Sequence, residues 1–240
     1  MGKIRLYVPQ KLRVGQTVVL ETAQSHYLFN VMKLKIGDKI SCFDNQSGEY
    51  DCEISEINKK TTLLQITNCT QKFEASPDVW LLFAPVKKDN TDFIIQKATE
   101  LGVRKIVPVM TRYTTAERIK KERFEAQAIE AAEQCRRTDI PEIANSLKFE
   151  ELLAHWDKKR VLYFMDETLN GRPVKEVFST GSIPCAILVG PEGGFSVTEL
   201  EQLRALPFAK GVSLGRRILR AETAVAAALS CWQALSGDWQ

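Results

Sequence analysis

Ile187-Leu188-Val189-Gly190-Pro191-Glu192-Gly193-Gly194-Phe195-Ser196 and Leu214-Gly215-Arg216-Arg217-Ile218-Leu219-Arg220-Ala221-Glu222-Thr223-Ala224 decide the reading of this chain. Each is an apolar strand that runs into a glycine-bearing turn, with a helix starting just beyond. Glycine lacks the Cβ that would hold a ligand away from the main chain, so two such loops can approach one small molecule with bare backbone. Neither loop matches the phosphate cradle GxxxxGKS/T or the dinucleotide pattern GxGxxG. The expected ligand is therefore something other than a phosphate.

Outward from these loops, the chain alternates strand and helix from Val79 onward. Strands are predicted at Val79 to Ala84, Ile106 to Met110, Arg160 to Met165, Cys185 to Val189 and Gly211 to Leu214. Helices are predicted at Asn90 to Leu101, with Gly102 as the stop, at Ala116 to Arg137, from Ser196 to Leu206, and at Ala221 to Leu235. Ser196-Val197-Thr198-Glu199 is a capping box. Nearly continuous apolar strands in this alternation mean an α/β domain with a parallel sheet covered on both faces. In such sheets the ligand lies beyond the carboxyl ends of the strands, which puts a pocket at 190–195 and 214–222. Residues 1 to about 72 read instead as short strands with turn signals between them, a small β-barrel with one short helix at Ser25 to Met32. Gln71 to Asp78 reads as the linker.

Composition narrows the class. The chain has 240 residues, 44% of them hydrophobic, enough for one large or two modest domains. No apolar run approaches the roughly 18 residues that cross a bilayer. Met1 to Tyr7 has no apolar signal region, so a cytoplasmic protein is expected. Six cysteines form no CxxC pair, and His26 and His155 are remote from any such pair. The expectation is no metal, no disulfide, and buried reduced thiols. A net charge of +3 hides basic clusters, among them Lys87-Lys88, Arg104-Lys105, Arg136-Arg137 and Arg216-Arg217. They read either as a basic face for RNA or as ordinary helix-surface pairing such as Glu117 with Lys121.

The two glycine loops closely resemble the cofactor motifs of the RsmE family, SPOUT-class methyltransferases that modify uridine N3 in small-subunit ribosomal RNA. Three further stretches resemble that family: Lys97 to Val103, Glu130 to Arg137 leading into Ile140-Pro141-Glu142-Ile143, and His26 with Val31 to Asp38. The resemblance covers nearly the whole chain. It departs at Met32-Lys33, where the family usually has Leu-Arg; a Lys cannot reproduce the planar bidentate fork of an Arg. It implies a PUA-like RNA-binding barrel over 1–72 and a SPOUT-type trefoil-knot domain over 73–240. It also implies S-adenosyl-L-methionine as cofactor, a homodimer, and 16S ribosomal RNA or the assembled small subunit as partner.

On that resemblance, Leu188, Val189, Gly190, Glu192, Gly193, Gly194, Leu214, Gly215, Ile218, Leu219 and Ala221 are the candidate cofactor contacts. Arg220 and Glu222 are the catalytic candidates. Uracil N3 is a poor nucleophile until it loses its proton, and a cation beside the loop favours the resulting enolate-like base. For Arg220 a phosphate clamp or a salt bridge to Glu222 stands as the alternative. Glu192 and Glu222 read as proton acceptors or hydroxyl contacts, and Glu192 equally as a cap on a loop amide. Glu199 is assigned to the capping box alone. Arg5, His26, Lys33, Arg112, Arg118, Arg136 and Arg137 are the RNA-binding candidates. Such contacts position RNA without reading its sequence. Three functions stay open: the uridine-N3 methyltransferase, a SPOUT enzyme with another target such as a ribose hydroxyl, and a non-catalytic RNA-binding or ribosome-assembly factor.

Overall fold

The computed structural model describes residues 4–115, 119–180 and 183–239. They divide into two units: the first takes residues up to Ala75 together with Ala132–Ile140, and the second takes Ser76–Ala131 and Pro141 onward. The expected boundary was 72/73, and the division in contacts falls after Ala75. The return of 132–140 to the first unit is not legible in local sequence, because it depends on contacts across more than a hundred residues.

In the first unit, β1 (Arg5–Tyr7), β2 (Thr17–Val19), β3 (Lys39–Phe43), β4 (Gly48–Ile57) and β5 (Thr62–Lys72) form one sheet in the order β1-β3-β4-β5-β2. β1 runs parallel to β3, and the other pairs are antiparallel. Alternating positions such as Ile40, Cys42, Cys52, Ile54, Leu64 and Ile66 point into a core closed by Leu12 and Leu28. The predicted helix is a short α1 (Thr22–His26) that relaxes into one π-helical turn, Tyr27–Val31. Leu28 anchors that turn in the core, while Tyr27 and Phe29 stand outside it. β5 runs to Lys72 and takes Gln71 and Lys72, the start of the expected linker, into the sheet.

The second unit is an α/β layer structure built from β6 (Val79–Phe83), α2 (Lys88–Glu100), β7 (Lys105–Met110), α3 (Lys121–Cys135, of which the residues from Ala132 belong to the first unit), β8 (Glu142–Ile143), β9 (Leu147–Lys148), α4 (Phe149–Ala154), β10 (Val161–Met165), β11 (Arg172–Pro173), α5 (Val174–Phe178), β12 (Cys185–Val189), α6 (Val197–Ala205), β13 (Ala209–Ser213) and α7 (Ala221–Ser236). All its strand pairs are parallel, in the order β11-β13-β10-β12-β6-β7-β8, with β9 beside β7. β12 is buried along its whole length, as a strand covered on both faces must be. Leu82, Leu162, Phe164, Ala186 and Leu188 pack on one face against Phe149, Leu152, Leu200 and Leu203 of α4 and α6. On the other side α7 packs against α2, α5 and β12, with Val225, Leu229 and Trp232 fully buried. Gly102 ends α2 as expected, at φ +75, with Val103 N–H donating to Ala98 O at 3.2 Å. The sequence reading did not include α4, α5 or the two-residue strands β8, β9 and β11. Elements this short carry too few residues for a periodicity.

The expected burial of the thiols holds for Cys42, Cys52 and Cys185, but Cys69 and Cys135 are exposed and Cys231 is half-buried. Cys69 lies where β5 leaves the core, and Cys135 ends α3 on its outer face. Burial pushes the Cys185 thiol up to about 12, which makes it a packing group rather than a nucleophile.

Candidate active site

Three loops at the carboxyl ends of neighbouring strands converge on one cleft in the second unit. The loop after β10 contributes Met165 to Glu167 and Leu169. That after β12 contributes Val189 to Glu192 and Gly194. That after β13 contributes Leu214, Gly215 and Arg217 to Leu219, and Val212, Ala221 and Ala224 complete the wall. The cleft holds about 610 Å³ of space, open solvent at its mouth included. Its walls are mainly apolar, with a few polar groups at the rim, the usual composition of a small-molecule site.

The sheet order explains the convergence. β10 lies between β12 and β13, so its following loop has to rise between the two glycine loops. That third loop was absent from the sequence reading, although the rule that placed the other two applies equally to the loop after the predicted strand Arg160 to Met165.

The glycines have different structural reasons. Gly194 has φ +69, and a Cβ there would stand 3.0 Å from Glu167 Cδ. Gly215 has φ +108 with nothing near it, so only its backbone conformation requires glycine. A Cβ on Gly190 would press on the Phe195 ring at 3.1 Å, and one on Gly193 would meet Tyr113 Cβ at 3.2 Å. Gly193 therefore faces the turn after β7 rather than the cleft. Leu188 is also off the cleft, being fully buried in the sheet core one residue before the loop begins. Both were expected as cofactor contacts, and neither is among the residues that line the cleft.

Arg220 requires a similar correction. It is exposed at the N-cap of α7, outside the cleft lining, whereas Arg217 lines it. The alternative salt bridge to Glu222 does not form among the described residues. Glu222 is half-buried, off the cleft lining, and its Oε2 is buried without a hydrogen-bond partner among the described residues. Glu192 lines the mouth and is exposed.

Two acids brace the loops. Asp166, with its side chain 2% exposed, accepts from Thr168 Oγ1 at 2.6 Å and from Arg204 at 2.8 Å. Burial pushes its carboxyl up, but those hydrogen bonds and the guanidinium outweigh burial and hold it below the usual carboxylate range. Glu199 closes the expected capping box with Ser196, and its other oxygen accepts the Arg112 N–H at 2.8 Å. One buried carboxylate thus ties the turn after β7 to the start of α6. It brings Arg112, whose side chain is exposed, beside the Gly193 loop that Tyr113 touches.

The remaining RNA candidates divide sharply. His26, Lys33 and Arg136 are exposed; Lys33 follows the π-helical turn at φ +55, next to the exposed aromatics Tyr27 and Phe29. Arg5 is not available for RNA. Its side chain, 7% exposed, donates to Glu49 at 2.7 Å, to Ala132 O at 2.7 Å and to Arg137 O at 2.6 Å, and lies 3.8 Å over the Phe43 ring. Arg137 is likewise held by Asp139 at 2.9 Å, both side chains 9% exposed. Arg118 lies outside the described residues, as does Glu117; Lys121 pairs with Glu125 at 3.5 Å.

Comparison with known proteins places this geometry. The family model of an RNA methyltransferase domain matches residues 74–233, and that of an RNA methyltransferase PUA domain matches residues 20–67. The chain is 33% identical to the Ribosomal RNA small subunit methyltransferase E of Buchnera aphidicola subsp. Schizaphis graminum, over 98% of this chain and 97% of that one. Its structure matches the enzyme of the same description from Neisseria gonorrhoeae, bound to S-adenosyl methionine, with a TM-score of 0.91 and 28% identity over the full length of both chains. A Legionella pneumophila methyltransferase in complex with the same cofactor matches with a TM-score of 0.89 at 28% identity, over 99% of this chain and 100% of that one. Sequence and fold agree across both units: the chain belongs to the ribosomal RNA small subunit methyltransferase E family.

Proposed function

We propose that this protein methylates N3 of a specific uridine in the 16S ribosomal RNA of the small subunit, with S-adenosylmethionine held in the three-loop cleft. The observation that carries the reading is the convergence of those loops, which sets Gly190, Gly194 and Gly215 in the cleft lining between apolar walls. The residues present fit such a cofactor. Val189, Leu214, Ile218 and Leu219 offer apolar surface to an adenine. Main-chain groups of the two loops offer the hydrogen bonds that distinguish it. No side chain caps α7, so its first N–H groups remain as donors at the Ala221 wall. When bound, the cofactor supplies an electrophilic methyl on a sulfonium, and the protein supplies orientation.

The protein's own residues must then manage a proton and a charge. Arg220 at the N-cap of α7 is the cation that would stabilise negative charge on the uracil carbonyls, while Arg217 in the cleft would hold the cofactor. Glu222, whose Oε2 has no partner, and Glu192 at the mouth are the candidates to accept the N3 proton. Lys33, His26, Arg112 and Arg136 would hold RNA phosphates, with Tyr27 and Phe29 as stacking surfaces beside Lys33. We place the protein in the cytoplasm as a homodimer, with α7 and its half-buried Ala226 and Ala227 at the interface. Among the described residues no helix is long and apolar enough to cross a membrane.

The test is methyl transfer from radiolabelled cofactor to small subunits and to naked 16S RNA from cells lacking the activity. The product is then mapped by reverse transcription, because an N3 methyl removes the pairing donor and stops the polymerase. A single stop at a uridine is expected. Label on a ribose hydroxyl, or on no RNA at all, would overturn the assignment.

A further inference from the structure

The loop that the sequence reading overlooked contains a carboxylate in an unusual position. Glu167 lies two residues beyond β10, between Asp166, which Arg204 and Thr168 hold in place, and the cleft that Glu167 lines. Asp166 N–H also donates to Val212 O at 2.9 Å, joining the base of this loop to β13. From that fixed base Glu167 Oε1 accepts the N–H of Phe195 at 2.7 Å. The same carboxyl fills the place where a side chain on Gly194 would begin, 3.0 Å from Cδ and 3.3 Å from Cγ to an ideal Cβ. Gly194 N–H closes the turn internally, onto Pro191 O at 2.9 Å.

Glycines at 190, 193 and 194 give this loop wide conformational freedom around Pro191, and each alternative shape displaces the main chain that lines the cleft. One internal hydrogen bond does not fix where the turn points. The Glu167 carboxylate does, because it holds the next amide from outside and leaves Gly194 no room to rotate toward it. We propose that Glu167 is a positioning residue of the methyl-transfer site: it locks the Gly190–Ser196 loop in its cofactor-binding shape, and Gly194, at φ +69, leaves its carboxyl the space it occupies. This rests on the reading of the cleft as the S-adenosylmethionine site. It assigns Glu167 a role through the loop, not through direct contact with the reacting atoms.

The test is calorimetric titration of the full-length protein with S-adenosylmethionine and with S-adenosylhomocysteine, which lacks the sulfonium charge. The variants are E167A, E167Q, G194A and E167A/G194A, each with a thermal melt. E167A is expected to weaken both ligands alike, by about tenfold or more, as loss of preorganisation does. E167Q, whose amide oxygen can still accept the Phe195 N–H, should stay within about threefold of wild type. G194A should resemble E167A, and the double variant should be no weaker than the worse single one, since both break one contact. Unchanged affinity in E167A, additive losses in the double variant, or E167Q as weak as E167A would overturn the proposal. The last result, with the loss confined to the sulfonium ligand, would make Glu167 a direct charge contact instead. Should E167A not fold, E167D takes its place: E167Q near wild type with E167D weak, its shorter carboxylate drawn back from the Phe195 N–H, sustains the proposal, and any other pairing overturns it. Failure of the wild type to bind either ligand would instead remove the cleft reading, and this inference with it.

Discussion

Arg217 and Arg220 stand three residues apart, but the chain places them in different surroundings. Arg217 lines the cleft and Arg220 starts α7 outside it. An arginine in the cofactor cleft affects binding before chemistry; one at its rim meets the RNA and the base. Arg217→Ala is therefore expected to weaken S-adenosylmethionine binding by about tenfold, the worth of one charge-assisted hydrogen bond. Arg220→Ala should leave that affinity within about twofold and lower turnover on RNA by about a hundredfold, as lost charge stabilisation does. Cofactor titration and single-turnover methylation separate the two. A shared loss of cofactor affinity would place Arg220 in the cleft after all. The sequence reading singled out Arg220 and left Arg217 in a basic cluster, because which of them lines the cleft depends on how Gly215 turns the chain at φ +108.

At the scale of elements, the capping box that opens α6 does more than end a helix. Glu199 is buried, and its two oxygens serve Ser196 and the Arg112 amide. Glu199→Ala should cost about 1–3 kcal/mol, the sum of a lost cap and a buried amide left unpaired. It should also loosen the turn carrying Arg112 and Tyr113. Chemical denaturation measures the first effect, and amide exchange at Arg112 reports the second; an unchanged Arg112 amide would confine Glu199 to capping. Elements of this kind mark the limit of sequence reading. The main strands, the long helices and two of the three cleft loops were legible, since apolar runs, capping residues and glycines are local signals. The third loop, the tie from Glu199 to Arg112 and the burial of Arg5 were not. Each is a contact between residues far apart in the chain, and nothing in the neighbours of Arg5 distinguishes a buried guanidinium from a phosphate ligand.

For the whole molecule, acid should act through three aspartates. Burial pushes Asp44, Asp78 and Asp166 up, but hydrogen bonds to Asp44 from Ser47, Leu12 and Gln46, Arg160 beside Asp78, and Thr168 with Arg204 at Asp166 outweigh it, so all three titrate below the ordinary value. A depressed folded-state pKa adds stability that is fully present above the unfolded value of about 3.9 and is lost as pH falls through the folded one. The Tm should therefore hold at neutral pH and drop below about pH 4. Asp166→Asn should lower Tm at neutral pH and flatten part of that drop, which melts across the range would show. A variant with the same acid slope as wild type would remove Asp166 from the account.

The first unit is assembled from two separated stretches of chain, with Arg5 bonded to the carbonyls of Ala132 and Arg137, and Tyr7 N–H to Glu133 at 2.9 Å. A fragment ending at Ala75 is expected to fold poorly, because it leaves the Arg5 guanidinium without two of its acceptors; a cooperative melt from that fragment would contradict this. In the cell the same arrangement sets an order of events. Chains emerge from the ribosome from the N-terminus, and domains generally fold as they appear. Here the first unit cannot close until residues 132–140 have been made, when more than half the protein has left the peptidyl transferase centre. The half-made first unit thus stays open during that interval, and its folding is timed by the synthesis of its neighbour rather than by its own length.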